Sequence, residues 1–384
     1  MPAMTNSGRT ALSPPDFWPD HCTYMREAER LAEALGDQRR LGRALLYLTT
    51  AFWDMGDQER ALETGQRVFS LANALGDFSL QIMVHNSLGR VHNTMGNYHE
   101  ARAFLGRNVS LLQGELSREY FGLTSLASVT SSAHLSEALE ELGAFTEGIT
   151  SGEEAIRIAE AVDHPFSRVM AYWGVGNLYL YKGDLAKAIS GLDRGLELCQ
   201  TWNIQLMSPH LASALGAASA LSGRSAEALP LLEQAVEQGS LGRQRRLYLP
   251  RWTIRLGEGY LLAGRIEEAS IEARRALTHT RDYKQRGMEA WALHLLGKIA
   301  AQQEPPAVEL AEAHYGQAMA IAKELGMRPL LAHCHLGLGT LYAQHGRREE
   351  AHVALSDAIE LYRAMEMTFW LPSAEAALEE MTSR

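Results

Sequence analysis

Cysteine is scarce in this chain, with three in 384 residues, at Cys22, Cys199 and Cys334. An odd, widely spaced set cannot make a disulfide framework and fits a reducing compartment, so the expected location is cytoplasmic. Long apolar runs are missing too. No stretch reaches the roughly 18 consecutive apolar residues of a membrane span, so no membrane partner is expected. Residues 1–20, MPAMTNSGRTALSPPDFWPD, lack the apolar centre of a signal peptide and are read as a flexible lead-in. Basic residues are in deficit, 36 Lys and Arg against 46 Asp and Glu, a formal charge of −10. Nucleic-acid binding needs a basic surface to displace counterions, so no nucleic-acid partner is expected.

Motifs of chemistry are also lacking. Leu296-Gly297-Lys298 is a helix glycine followed by lysine, not a phosphate loop, and Gly174-Val175-Gly176 lies inside a helical pattern with no strand before it. His333-Cys334-His335 offers neighbours that point in different directions from a helix, so it cannot by itself converge on a metal. The HEAR stretch at 99–102 lacks the second histidine of a zinc-protease motif. Glu267-Glu268 and Glu349-Glu350 fall at helix starts, where negative charge suits the helix dipole. The expectation is a non-enzyme with no metal and no cofactor.

What the sequence does have is repetition. VHNTMGNYHEAR at 91–102 returns as LYLYKGDLAKAI at 178–189, GYLLAGRIEEAS at 259–270 and LYAQHGRREEAH at 341–352. Corner glycines stand at Gly56, Gly96, Gly143, Gly183, Gly223, Gly264 and Gly346, at intervals of 40, 47, 40, 40, 41 and 82. The last interval is two periods, with 302–306 (QQEPP) as the missing corner. Five residues after each corner comes a small residue: Ala61, Ala101, Gly148, Ala188, Ala228, Ala269 and Ala351, with Ala311 after the proline corner. Seven residues before it stands a second glycine in six repeats: Gly89, Gly176, Gly216, Gly257, Gly297 and Gly339. Thr49 and Ser136 replace it in the other two. The pattern is a helical hairpin whose first helix stops at a glycine able to take the left-handed cap. A glycine inside a helix costs about 1 kcal/mol against alanine, so its return at one place implies close helix packing. Tyr179, Tyr260 and Tyr342, three residues beyond the internal glycine, read as core aromatics.

These residues resemble the tetratricopeptide repeat family over about 40–366. The resemblance rests on Leu88-Gly89, Val175-Gly176, Leu256-Gly257 and Leu338-Gly339, the tyrosine, the corner glycine, Ala188…Leu192 and Ala351…Leu355, and the closing Ala235, Ala276, Ala318 and Ala358. The period is nearer 40 than the family's 34. The expected fold is all-α, a right-handed superhelical solenoid of about eight hairpins with a period near 40. The expected organisation is a lead-in over 1–20, a half-repeat helix over 21–37, repeats 1–2 over 38–113 and a longer connection over 114–120. Repeats 3–8 follow over 121–366, and a capping helix over 367–384. The half-repeat start leaves a helix face uncovered, a surface for a partner or a second copy. REAERLAEALGDQRRLGRAL at 26–45 and MEMTFWLPSAEAALEEM at 365–381 are similar to the C-terminal repeats of large bacterial signalling proteins. In those, a cyclase or transcription-regulator domain and an ATPase domain precede the repeats. The resemblance implies a module that regulates an attached or associated enzyme.

In such a stack the first helix of each repeat faces the concave groove. Positions −6, −3, +1 and +4 from the internal glycine share one helical stripe. They give Met83, Asn86, Arg90 and Asn93; Met170, Trp173 and Asn177; His210; Arg251 and Glu258; and Trp291, His294 and Lys298, with His333 continuing the line. Two amides can satisfy a peptide donor and acceptor together, and Asn177 resembles the groove asparagine of peptide-binding family members. Trp and Arg often carry binding energy. Separately, Gly242-Arg243-Gln244-Arg245-Arg246 with Arg251 is either a solvated turn or an anion site. The expected function is non-catalytic binding of a protein segment or peptide in the groove. The rival is a free-standing receptor for a short signalling peptide or small ligand that changes superhelix shape on binding.

Overall fold

A computed structural model describes residues 17–240 and 247–383. The described residues form helices joined by short corners. Helix α1 (Phe17–Ala34) comes first. Eight antiparallel hairpins follow: α2 (Gln38–Met55) with α3 (Gln58–Leu75), α4 (Phe78–Met95) with α5 (Tyr98–Leu111), α6 (Ala127–Leu142) with α7 (Phe145–Val162), and α8 (Pro165–Lys182) with α9 (Leu185–Thr201). Then come α10 (Ser208–Leu221) with α11 (Ser225–Ser240), α12 (Leu249–Leu262) with α13 (Ile266–Asp282), α14 (Arg286–Ala301) with α15 (Val308–Leu325), and α16 (Arg328–Gln344) with α17 (Arg348–Ala364). Helix α18 (Leu371–Ser383) ends the described chain. A short 3₁₀ helix, Gly114–Arg118, occupies the longer connection before α6. Helix α1 starts at Phe17, inside the stretch read from sequence as a lead-in.

Each hairpin is built as its spacing implies. Corner glycines take the left-handed conformation, as at Gly56 (φ 82°) and Gly183 (φ 89°), and the following Asp57 and Asp184 carboxylates accept the backbone N–H of Arg60 and Lys187. The small residues Ala61, Ala101, Ala188, Ala228, Ala269, Ala311 and Ala351 are all fully buried. A Cβ on Gly176 would lie 2.6 Å from Leu192 Cδ2, and one on Gly339 would lie 2.6 Å from Leu355 Cγ. At Gly89, Gly176, Gly216 and Gly339 the internal glycine is therefore the notch that receives the leucine of its own second helix, whereas Gly297 receives Tyr315 and Gly257 receives Leu295 of the next hairpin. The tyrosines behave less uniformly than expected. Tyr179 is buried with its hydroxyl on Glu153 (2.5 Å), whereas Tyr260 is half-buried and donates to Glu233 (2.9 Å), and Arg347 stacks 4.1 Å above the half-buried Tyr342 ring.

The stack does not stay open. Five hairpins along, the superhelix returns and its turns touch. Gly96 at the end of α4 meets Gly287 N at the start of α14, and Tyr98 is buried against Gly287. Gly143 at the end of α6 faces Met365 and Pro329, and Gly183 at the end of α8 faces Phe369 and Trp370. Gly56 faces the Tyr283 ring. A Cβ on any of these four corners would press on the next turn, whereas Gly223, Gly264 and Gly346 face nothing within 4 Å. One apolar cluster accordingly runs from Tyr98 and Leu105 through Leu139 to Tyr315, Met327 and Tyr362. Helix α6 sits at the centre, packed on α4, α5, α7, α8 and α16, and every one of its residues is buried. Its Ser- and Ala-rich sequence, ASVTSSAHLSEALEEL, leaves room for neighbours on all sides.

Candidate functional site

The first helices α8, α10, α12, α14 and α16 face the interior, where they enclose a cavity of about 110 Å³. Six of the fourteen stripe residues line it: Arg251, Glu258, Trp291, His294, Lys298 and His333. Tyr181, Arg255, Met288 and Trp370 join them. A smaller neighbouring cavity, about 40 Å³, is lined by Arg90 and Asn93 together with Arg251, Tyr248 and Gln285. Around it several buried polar atoms have no partner: Arg90 Nε, Asn93 Oδ1 and Gln285 Oε1. Asn93 otherwise donates to the His134 carbonyl (2.9 Å), and the Arg90 guanidinium lies 3.9 Å above the Trp53 ring.

Asn86, Trp173, Asn177 and His210 line neither cavity. Trp173 and His210 are buried in an edge-to-face aromatic cluster with Tyr248 and Trp252. Asn177 is 2 % exposed, donates to the Trp173 carbonyl (2.8 Å) and accepts from Arg255 (2.6 Å). Asn86 is equally buried, and its Nδ2 has no partner. Met83 packs on Gly122, and Met170 is buried. The arginine run at 242–246 lies outside the described residues; Arg251 serves elsewhere.

Behind the larger cavity lies an ionic network that sequence inspection missed. Glu140 and Glu141 of α6 are fully buried. Arg251 pairs with Glu140 and reaches Glu141 at 3.7 Å, Trp291 Nε1 donates to Glu141 at 2.9 Å, and Tyr181 donates to it at 3.3 Å. One Glu140 oxygen has no partner. Burial pushes the Glu140 carboxyl up to about 7 against the pull of Arg251, and raises Glu141 as well. On the other wall, burial, Lys298 and His333 hold His294 well below the usual histidine range, and burial pulls His333 down to about 3. His333 Nδ1 lies 2.8 Å from the Tyr362 hydroxyl, Cys334 is buried, and His335 turns to Asp357 (3.6 Å), so the three do not converge. Among the described residues no group of His, Cys, Asp and Glu has the arrangement of a metal site, and no helix is long and apolar enough to cross a membrane.

Arg255 was legible in principle, four residues after Arg251 on one helix face. Glu140 and Glu141 carried no such signal, because an acidic pair near a helix end reads as solvated.

No family model and no curated protein matches the chain. Solved structures do. A Rap protein complexed with competence and sporulation factor is 13% identical, with 89% of this chain and 97% of that chain covered and a TM-score of 0.56. The Rap conjugation gene regulator of plasmid pLS20, in complex with the Phr* peptide, is 14% identical, with 91% and 97% covered and a TM-score of 0.56. The fold is that of a tetratricopeptide-repeat solenoid. A Signal Transduction ATPase with Numerous Domains protein from Pyrococcus horikoshii, with a tetratricopeptide repeat sensor, is 14% identical at a TM-score of 0.49. It covers 95% of this chain, which spans about half (54%) of that one. Against an open tetratricopeptide-repeat stack, the distinctive element here is the filled interior.

Proposed function

We propose that this solenoid is a non-catalytic module that binds a protein segment or peptide on its concave wall. The observation that carries the reading is the row of unpaired polar atoms on that wall, Arg90 Nε, Asn93 Oδ1 and Gln285 Oε1, facing a cavity between two turns. Buried polar atoms rarely go unpaired, and a peptide backbone supplies both donor and acceptor to meet them. The two Rap proteins, alike in fold, are complexed with competence and sporulation factor and with the Phr* peptide, which supports the same class of ligand here. A segment longer than a few atoms requires the turns to part, so binding is coupled to a change of superhelix shape. By resemblance at 26–45 and 365–381, the module would regulate an attached or associated bacterial signalling enzyme or transcription regulator in the cytoplasm. The exposed Tyr24 and Leu31 on α1, with Leu35 in the turn after it, are where that partner or a second copy would pack.

The test is affinity capture with the full chain beside an Arg90→Ala, Asn93→Ala variant matched for circular dichroism. The captured protein's segments are then titrated calorimetrically. The reading expects one segment to bind the parent, to bind the variant about tenfold or more weakly, and to enlarge the radius of gyration in X-ray scattering. Equal binding by both proteins moves the site off this wall.

A further inference from the structure

One cation on the larger cavity has no ion pair of its own. Arg251 is held by Glu140 and Glu141, and Lys298 stands 3.5 Å from Glu258. Arg255 is left over. It is 6 % exposed, and its guanidinium makes one hydrogen bond, to Asn177, with no carboxylate at ion-pair distance among the described residues. A buried charge without a counter-ion is costly, and a planar guanidinium with free donors is shaped for a carboxylate. A second orphan lies on the same cavity: His294 is 5 % exposed and its Nδ1 has no partner. Tyr181, Trp291 and Trp370 make much of the remaining wall aromatic. The volume, about 110 Å³, is of the order of the ~150 Å³ that takes one benzene ring in an engineered protein cavity. Nothing larger than one ring on a short arm suits it, which excludes an extended chain. Glu258 lines the same cavity and would repel a second negative charge, so a monoanion suits the site better than a dianion.

We propose that this cavity is a binding site for a compact aromatic monocarboxylate, with the carboxylate on Arg255 and the ring between Trp291 and Trp370. The site is separate from the wall at Arg90 and Asn93, which line the other cavity, while Arg251 and Met288 border both. The same chemistry has two sources, a free aromatic acid and the terminal carboxylate of a peptide ending in an aromatic residue. In either case the ligand bridges Tyr181 on α8 to α12 and α14.

The experiment is calorimetric and tryptophan-fluorescence titration of the full chain with phenylacetate, phenylacetamide, acetyl-Gly-Gly-Phe and its C-terminal amide. Millimolar or tighter binding of an acid, with its amide about tenfold or more weaker, is expected. Binding of phenylacetate assigns the source to a free acid, and binding of the tripeptide acid alone assigns it to a peptide end. Arg255→Met should lose the preference for acid over amide, and its melting without ligand is recorded beside the parent's because Asn177 Oδ1 loses its donor. Arg255→Lys keeps the charge and should retain part of the preference, separating charge from damage to the fold. Equal binding of acid and amide, undiminished binding by Arg255→Met, or no binding of either acid overturns the assignment.

Discussion

At the residue scale, the centre of the molecule is a buried ionic knot. Glu140 and Glu141 are sequence neighbours on α6, and one arginine from α12, Arg251, holds both. Removing that arginine strands two carboxylates away from water, which typically costs about 3–5 kcal/mol. Arg251→Met should therefore be among the most destabilising single changes in the chain near neutral pH by denaturant titration. The loss should shrink toward pH 5, where the carboxyls take up protons. Glu140 carries a sign of its own. Its carboxyl is raised from an ordinary 4.5 to about 7, so the folded chain binds that proton more tightly than the unfolded chain. The resulting contribution to stability is complete below about pH 4.5 and is lost as pH rises through about 7. Glu140→Gln keeps the neutral shape and removes the dependence. Its melting temperature, relative to the parent, should rise between about pH 5 and pH 8. A parallel pair of melting curves would rule out Glu140 as the titrating group.

At the element scale, two kinds of helix glycine look alike in sequence and differ in consequence. Gly176 is a notch: an added Cβ would lie 2.6 Å from the leucine that fills it. Overpacking of this kind costs about 1–3 kcal/mol and outweighs the ~1 kcal/mol gain in helix propensity. Gly176→Ala should lower the melting temperature. Gly316, in the middle of α15, is exposed and meets nothing within 4 Å, so Gly316→Ala should stabilise by about 0.5–1 kcal/mol. Opposite signs in one calorimetric comparison would separate packing from propensity; like signs would refute the notch.

The hairpins were readable from sequence because their two demands, a left-handed cap and a close approach of helices, each select glycine or alanine at a fixed distance. Even the corner at 302–306 could be placed without its glycine, from the doubled interval of 82, with the small residue Ala311 after it. The interior was not readable in the same way. Trp173 and Asn177 share a stripe with Trp291 and Lys298, yet the first pair is sealed into packing and the second pair borders a cavity. Which of the two happens depends on what the next turn brings across, and a local periodicity holds no record of that.

At the scale of the whole molecule, the contacts between turns decide how open the groove is. Gly287 opens α14 and lies against the Tyr98 hydroxyl, so a methyl group there would push the turns apart. Gly287→Ala should raise the radius of gyration in X-ray scattering and lower the melting temperature with helicity unchanged. An unaltered radius with a higher melting temperature would mean that the contact does not hold the turns together.

The same closure changes the kind of folding problem the chain presents. In an open repeat array each hairpin touches only its neighbours, so order can start anywhere and spread one unit at a time. Here Gly96 must find Gly287 and Gly183 must find Trp370, pairings nearly 200 residues apart. Those contacts raise the average sequence separation and add a late, slow ring-closing step to what would be quick local zippering. They also act as a vernier. Deleting one hairpin between α4 and α14 would leave every remaining hairpin intact while shifting every meeting between turns by one position, so this solenoid cannot change its number of repeats as freely as an open one.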